Sequence, residues 1–435
     1  MNKVAQTTNV AQRARRRIFR RTIPFLFVLF VVAFLDRVNV SYAKLTMIDE
    51  LGFTQKIYGF GAGIFFIGYF LLEIPGSLIA ERWSARKWIA RIMISWGALS
   101  ILTGFIHSPL QFYWARFLLG AAEAGFFPGI IVYLSHWFRQ EDRAKAVALF
   151  MIALPITSIL ASPISGLLLG VNWLGLSGWR WVFIIEGLPA ILFGIATIFY
   201  LTDWPRQARW LADDERDWIE RELESEKQIK KAARSHHALE AFKHREVIQL
   251  TLIYFFGVTS FYGFTFWLPT IVDRFGFSKF MVTLITAIPY CFALASMLIL
   301  GWSSDRTKER HWHTALPLII GSIGLLATVI TQQSLAFSIA MFSIAAVGLY
   351  GYLPSFWTLP TRLLTESAAA VAIGLINSCG NLGGFVGPYV VGYLLDKTHS
   401  EVLGMAYLAA SAFVASILVL SLPRSRQALQ HEAQT

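Results

Sequence analysis

Two short polar connections with one shared pattern organise this chain: SLIAERWSARK at residues 77–87 and GWSSDRTKERH at residues 301–311. Each has an acidic residue and then an arginine, four and five positions after a small residue, and further basic residues follow. The segments SPISGLLLG (162–170) and GPYVVGYLL (387–395) also repeat a small residue, a proline and spaced glycines. These echoes predict two similar halves that repeat in parallel along the chain.

Apolar runs recur along the whole sequence. Of the 435 residues, 55% are hydrophobic and 15% are charged, whereas about 25% are charged in an ordinary soluble domain. A run of about 20 apolar residues spans a bilayer. The pattern therefore predicts an all-α membrane protein with twelve transmembrane helices in two six-helix bundles. The expected spans are 23–47, 57–80, 87–107, 110–135, 145–170, 178–201, 247–272, 281–303, 314–332, 335–360, 368–395 and 401–422.

The connections between spans predict the orientation. Those after spans 2, 4, 8 and 10 carry arginine or lysine, whereas those after spans 3 and 9, HSPLQ and TQQS, carry neither. Basic connections face the cytoplasm, so topology explains the net charge of +11 better than nucleic-acid binding does. We expect a multi-pass protein of a bacterial-type inner membrane with both termini cytoplasmic. Its segments are a basic tail (1–22), a first bundle (23–202), a cytoplasmic linker (203–246), a second bundle (247–422) and a cytoplasmic tail (423–435).

The linker contains a helix-like run, LADDERDWIERELESEKQIKK at residues 211–231. Asp213, Asp214 and Glu215 stand at its start and Lys230 and Lys231 at its end, an order that suits the helix dipole. We interpret this helix as a solvated spacer between the two bundles. A regulatory site is the alternative.

Several longer motifs resemble a known family. The Gly-x3-Asp-Arg pattern at 301–306 resembles the loop motif of the major facilitator superfamily, although the first copy has Ser77, Glu81 and Ser84 in place of glycine, aspartate and glycine. FLDRVNVSYA, ARFLLGAAEAGFFPGIIVYLSHWF, ALFMIALPITS, GWRWVFIIEGLPA and YGFTFWLPTIV resemble the anion:cation symporter family within it, in particular the phthalate/tartrate/hydroxyphenylacetate permease branch. The resemblance implies proton-coupled import of organic carboxylates. It also implies a gating motif that latches cytoplasmic helix ends, formed here by Glu81, Arg82, Arg86, Asp305, Arg306 and Arg310.

Four charged residues lie deep in the predicted spans: Asp36 and Arg37 in span 1, and Arg116 and Glu123 in span 4. Such residues are costly in a membrane and are functional by default. At about 1.5 Å of rise per residue, Asp36 and Arg116 lie at a similar height. Arg116 and Glu123 are seven residues apart and therefore share a helix face.

These four residues suggest a coupling mechanism. Arginine offers a planar fork of donors that fits a carboxylate, so Arg37 is the first candidate for the substrate anion and Arg116 the second. Asp36 and Glu123 are the proton-coupling candidates, because burial favours a neutral acid and a nearby arginine favours the carboxylate. Protonation is expected to weaken an Asp36–Arg116 pair and free an arginine. The alternative is a buried ion network that only holds helices together.

Further site candidates are polar and aromatic residues within the spans. The resemblance places Asn377 and Tyr69 near the substrate, and Asn381 shares a helix face with Asn377. We interpret Glu73 as a cap or latch near the cytoplasmic gate. The expected substrate-binding set is Arg37, Arg116, Tyr69, Trp357, Asn377, Asn381, Tyr262 and Trp267.

The sequence thus predicts a proton-coupled importer of a small aromatic or hydroxy acid that works by alternating access, as a monomer in the bilayer. A proton-coupled exporter of a drug or metabolite is the alternative in the same fold, and a membrane sensor is the alternative of another class. We expect no enzyme, cofactor or metal site, because no metal-ligand cluster, Ser/His/Asp set or phosphate loop is evident. Cys291 and Cys379 do not form a disulfide framework.

Overall fold

The computed structural model describes residues 2–233, 245–330, 334–363 and 366–423, and these residues form helices joined by short connections. Residues 234–244 of the predicted linker and 424–435 of the predicted C-terminal tail lie outside the described residues. The helices are α1 (Asn2–Leu51), α2 (Gln55–Arg82), α3 (Ala85–Thr103), α4 (Pro109–Glu123), α5 (Phe126–Ser135), α6 (Gln140–Leu169), α7 (Gly178–Tyr200), α8 (Asp213–Ala233), α9 (Arg245–Asp273), α10 (Lys279–Thr307), α11 (His311–Ile330), α12 (Leu335–Gly351), α13 (Leu353–Phe356), α14 (Leu359–Leu363), α15 (Glu366–Asn381), α16 (Gly383–Thr398) and α17 (Glu401–Leu420).

These helices confirm the twelve expected spans. Within the described residues, ten helical segments are long and apolar enough to cross a membrane. Spans 3 and 11 complete the set. Span 3 is α3, whose first turns carry Arg86, Lys87 and Arg91 and are therefore less apolar. Span 11 consists of α15 and α16, two segments of 16 residues each that meet at Leu382.

Three spans are broken near the middle of the molecule. Span 4 is divided into α4 and α5 at Gly125, whose φ of 82° is left-handed and favours glycine. Span 10 is divided at Tyr352 and again after Phe356, and span 11 is divided at Leu382. The sequence has prolines at or near the breaks in spans 4 and 10, which explains why a continuous helix does not form there. These breaks allow each span to bend within its length.

The linker helix α8 packs against the first half, contrary to the expected solvated spacer. Its apolar face buries Trp218, Ile219 and Leu223. Acidic residues of α8 pair with arginines of α1 and of the segment that begins α6. These pairs are Arg13–Asp214 at 2.5 Å, Arg17–Glu215 at 2.7 Å, Arg139–Glu222 at 3.3 Å and Arg143–Glu226 at 3.2 Å.

The first half is α1–α7 and the second half is α9–α17. α1 begins and α17 ends on one side of the molecule, and we call the opposite side the far end. The two halves close against each other at the far end. There α2 packs along α16 and α6 along α10. Asp396 of α16 accepts the backbone N–H groups of Gln55 at 3.0 Å and Lys56 at 2.8 Å, which are the first residues of α2. In contrast, the second half of α2 exposes Leu71, Leu72 and other apolar side chains. The contact between the halves is therefore tightest at the far end.

Candidate functional site

A central cavity lies between the two halves. Its empty volume is about 790 Å³, which includes space that is open to solvent. Both halves contribute to its wall. The lining residues are Phe30, Ala33, Phe34, Arg37, Tyr69, Glu123, Phe126, Phe127, Met151 and Leu154 from the first half, and Tyr254, Val258, Phe261, Tyr262, Tyr352, Leu353, Trp357, Asn377 and Asn381 from the second.

Arg37 is the cation of this cavity wall, and its guanidinium contacts both halves. One terminal nitrogen forms an ion pair with Glu123 of α4. The other donates to the hydroxyl of Tyr262 of α9 at 2.9 Å. The guanidinium carbon also lies 5.4 Å from the ring centroid of Tyr69. A fork of donors that faces a cavity and holds a carboxylate on one side suits the recognition of an anion.

Asp36 points away from the cavity into the first half and is 1% exposed. Its carboxylate accepts hydrogen bonds from Trp96 Nε1 at 2.5 Å, Ser100 Oγ at 2.7 Å and Asn39 Nδ2 at 3.1 Å. The expected Asp36–Arg116 pair is absent between these two described side chains. The height estimate was compatible with the pair, but the rotation of α1 directs Asp36 towards α3.

Arg116 is fully buried and does not line the cavity. Its three guanidinium nitrogens have no hydrogen-bond partner within the described part of the chain. Its guanidinium carbon lies 5.1 Å from the ring centroid of Phe65, and that of Arg37 lies 5.3 Å from the same ring. The two arginines therefore flank one phenylalanine, and Arg116 adds positive potential behind the cavity wall.

Glu73 joins the two halves beside the cavity, which fits the expected latch. Its carboxylate accepts hydrogen bonds from Asn377 Nδ2 and, at 2.6 Å, from Ser378 Oγ, both on α15. Asn381 Nδ2 in turn donates to Asn377 Oδ1 at 3.3 Å. Asn377 and Asn381 thus line the cavity and also form a bonded chain that ends on a buried acid.

The aromatic candidates divide into two groups. Tyr69, Tyr262 and Trp357 line the cavity, as expected. Trp267 lies outside it, because five residues after Tyr262 an α-helix has turned about 140° and risen about 7.5 Å. Trp267 instead packs at the far end, where its ring lies beside Lys44 and 5.5 Å from that of Tyr58.

One face of α9 lines the cavity, and of its four residues Tyr262 alone was among the expected site residues. Tyr254, Val258, Phe261 and Tyr262 follow the i, i+4, i+7, i+8 spacing of a single helix face, and all four line the cavity. The sequence of α9 shows this spacing, so the cavity-lining face could have been predicted from it. Tyr352 also lines the cavity.

The described contacts of the gating motif stay within each half. Arg86 pairs with Asp203 at 3.5 Å and donates its backbone N–H to the same carboxylate. Asp305 pairs with Arg310 at 2.6 Å. Arg306 lies over the ring of Trp302 at 5.4 Å. Glu81 and Arg82 are exposed at the end of α2.

The described residues contain no group of three or more His, Cys, Asp or Glu side chains placed to hold a metal ion. The cavity wall offers charged, hydrogen-bonding and aromatic side chains. In general a guanidinium binds anions, a carboxylate exchanges protons, and tyrosine and tryptophan rings stack on planar groups.

Comparison with known proteins relates this architecture to a family of transporters. Residues 25–388 match the Major Facilitator Superfamily. The chain is 43% identical over 419 residues to a putative tartrate transporter of Agrobacterium vitis, which covers 96% of both chains. It is 41% identical over 406 residues to the putative metabolite transport protein NicT of Pseudomonas putida, covering 93% of both. It is 37% identical over 396 residues to a quinolone resistance transporter of Acinetobacter baumannii, covering 91% of both.

Solved structures agree on the fold. A bacterial homologue of the human lysosomal transporter Spinster, in an inward-facing and unoccupied conformation, aligns with a TM-score of 0.72 at 18% identity. The alignment covers 94% of this chain and 95% of that one. The names of the relatives are consistent with the anion:cation symporter branch. The family match, the relatives and the fold identify the chain as a multi-pass membrane transporter, not an enzyme, that belongs to the Major Facilitator Superfamily.

Proposed function

We propose that this transporter imports a small organic carboxylate together with protons by alternating access. The observation that carries the proposal is the Arg37–Glu123 ion pair in the wall of the cavity between the halves. In this proposal the protein acts as a monomer in a bacterial inner membrane, with both termini in the cytoplasm. The proposed orientation makes the far end the outer end.

The cavity suits an anion that is compact or aromatic. Arg37 provides the charge-assisted fork for a carboxylate. The rings of Tyr262 and Trp357 offer faces for a planar group, and the amides of Asn377 and Asn381 offer partners for a hydroxyl or second carboxylate. Leu154 and Phe34 line the cavity with apolar side chains, which offer no hydrogen bond to a long polyhydroxy acid. The proposed substrates are therefore aromatic acids and short hydroxy acids.

Coupling follows from competition for Arg37. While Glu123 is ionised, it occupies the guanidinium that the substrate needs. A proton on Glu123 removes that competitor, and the carboxylate of the substrate then takes its place. Proton and anion each favour the state that binds the other, which is the thermodynamic condition for symport. Asp36 is the proposed second proton site, because it is a buried acid next to Arg37 in the chain.

The name of the tartrate relative supports a carboxylate substrate, whereas the name of the quinolone resistance relative favours the alternative of proton-coupled export. The direction of transport separates the two. In proteoliposomes with an imposed pH gradient, an importer moves the acid with the protons and an exporter moves its substrate against them. Labelled phthalate, 4-hydroxyphenylacetate and tartrate, with norfloxacin as the quinolone, form a suitable panel.

Glu123→Gln tests the coupling. The amide cannot exchange a proton, and it no longer pairs with Arg37 as a charge, so we expect substrate binding to persist while accumulation against a gradient is lost. Binding is measured by thermal shift in detergent and accumulation in the same proteoliposomes. Glu220→Gln, on the exposed face of α8, is the matched control. Accumulation by Glu123→Gln at the wild-type level would contradict the proton role of Glu123.

A further inference from the structure

Lys44 is a buried cation that the coupling mechanism does not use. It lies on α1, seven residues after Arg37, so it shares a helix face with Arg37 about 10 Å nearer the far end. Its side chain is 0% exposed. Its ammonium nitrogen has no hydrogen-bond partner within the described part of the chain.

Two aromatic rings contact the ammonium of Lys44 where a hydrogen-bond acceptor would be expected. The ammonium nitrogen lies 3.3 Å from the ring centroid of Trp267 and 4.6 Å from that of Tyr58. Such a contact attracts a cation, but it does not replace the hydrogen bonds that an ammonium loses when it leaves water. Methionine fills a similar volume without that cost. A lysine at this position therefore calls for a state in which the ammonium has a better partner.

Tyr58 and Trp267 form an aromatic cage around the ammonium of Lys44. The two rings come from different halves, so the cage opens when the halves separate at the far end. Lys44 and Tyr58 belong to the first half and Trp267 to the second. Two hydrogen bonds link the rings to backbone carbonyls: Tyr58 Oη donates to Phe266 at 3.2 Å, and Trp267 Nε1 donates to Pro388 at 3.3 Å. Opening of the far end removes Trp267 from Lys44 and exposes the ammonium to the space that leads to Arg37.

Four acidic side chains act electrostatically on Lys44: those of Glu401, Asp396, Asp273 and Asp49. Asp49 is exposed to solvent, and the other three are engaged elsewhere. Asp273 pairs with Lys279 at 2.6 Å, and Glu401 pairs with Arg274 at 2.7 Å. Asp396 accepts the first backbone N–H groups of α2. These contacts leave the ammonium available to an anion from solution.

We propose that Lys44 is a second anion-binding position, which receives the carboxylate when the far end is open and passes it to Arg37. When the far end closes, Trp267 and Tyr58 replace the carboxylate as partners of the ammonium. This inference rests on the proposed carboxylate transport. It assigns to Lys44 a role in binding from one side of the membrane only, because the cage occludes Lys44 when the transporter is open at the other end.

Side-specific kinetics test the inference. Intact cells present one face of the transporter and inside-out vesicles present the other, with labelled tartrate and labelled phthalate as probes. For Lys44→Met we expect the KM to rise about tenfold or more from the far-end face, the size expected for losing a charged hydrogen bond. From the opposite face we expect a change of less than about twofold. Lys44→Arg should recover most of the far-end affinity, and Lys56→Met, which removes an exposed far-end lysine, should match the wild type.

The possible failures are distinguishable. An equal change in KM from both faces, or a lower maximal rate with unchanged KM, would show that Lys44 only braces the closed end and would overturn the inference. Thermal stability in detergent shows whether Lys44→Met folds. If it does not, the KM values of Lys44→Arg and Lys44→Gln are compared from each face in the same way. Wild-type protein that transports neither probe would overturn the proposed function and this inference with it.

Discussion

At the residue scale, Arg37 connects the two halves through one guanidinium. Its partners, Glu123 and Tyr262, lie on opposite halves. A relative movement of the halves therefore changes the environment of the charge that we propose to bind the substrate. This arrangement depends on the shape of the guanidinium as well as on its charge, because two separate donors face two separate acceptors.

Arg37→Lys tests this dependence on shape. Lysine keeps the charge but cannot reach both partners and a carboxylate with a planar fork, so we expect the affinity for the transported carboxylate to fall about tenfold or more. Calorimetric binding in detergent measures the effect. Tyr262→Phe is the matched comparison, since it removes one neutral hydroxyl and should cost about 0.5–1.5 kcal/mol. Wild-type affinity in Arg37→Lys would show that charge alone suffices.

Sequence reasoning located the charged residues but not the directions in which they point. Rise per residue gave the heights of Asp36 and Arg116, whereas the rotation of α1 about its axis depends on packing with α3 and α7. For that reason Asp36 meets Trp96 and Ser100 instead of Arg116. Lys44 was overlooked although it follows Arg37 by two helical turns. Its importance depends on Trp267, which is more than 200 residues away in the sequence.

At the element scale, the helices were largely predictable and their interactions were not. Long apolar runs and basic connections revealed twelve spans. The charge pattern of α8 correctly predicted a helix. Its docking requires arginines of α1 and of the segment that begins α6, and no local pattern identifies these as its partners. Proline and glycine residues in the sequence indicate the breaks in spans 4, 10 and 11.

The docking of α8 leads to a prediction for Glu215. This carboxylate is 1% exposed and pairs with Arg17 and Arg13. Those arginines are half-exposed, so screening reduces the value of each pair. We expect Glu215→Gln to raise local opening of α8 by a factor of roughly 5–30, which corresponds to about 1–2 kcal/mol. Hydrogen exchange of residues 213–226 measures this opening.

Glu220→Gln provides the control for α8, because it removes an exposed carboxylate from the same helix. Its exchange should stay within about twofold of the wild type, since surface substitutions usually change stability by less than about 0.5 kcal/mol. Added salt should increase exchange in the wild type and have less effect in Glu215→Gln. Equal protection in both variants would indicate that Trp218, Ile219 and Leu223 alone hold α8 in place.

At the scale of the whole molecule, the two halves are closed at the far end, which corresponds to one state of the proposed alternating-access cycle. The two halves touch through α2 with α16 and through α6 with α10. The contacts include a cap that crosses between the halves: Asp396 bonds the first N–H groups of α2. A carboxylate at a helix N-terminus is also favoured by the helix dipole. Opening of the far end removes both the hydrogen bonds from Asp396 to α2 and its interaction with the helix dipole. Asp396 therefore stabilises the closed state selectively.

Asp396→Asn should therefore shift the molecule towards the state that is open at the far end. The loss of a charged cap costs about 1 kcal/mol, which corresponds to a roughly fivefold increase in the open population. Nitroxide labels at Leu174 and Phe277, exposed residues in far-end connections of opposite halves, report the separation by electron paramagnetic resonance. Asp213→Asn is the control, since Asp213 is exposed and pairs with Arg216 within α8. An unchanged distance distribution in Asp396→Asn would mean that packing of α2 on α16 holds the far end closed without help from this cap.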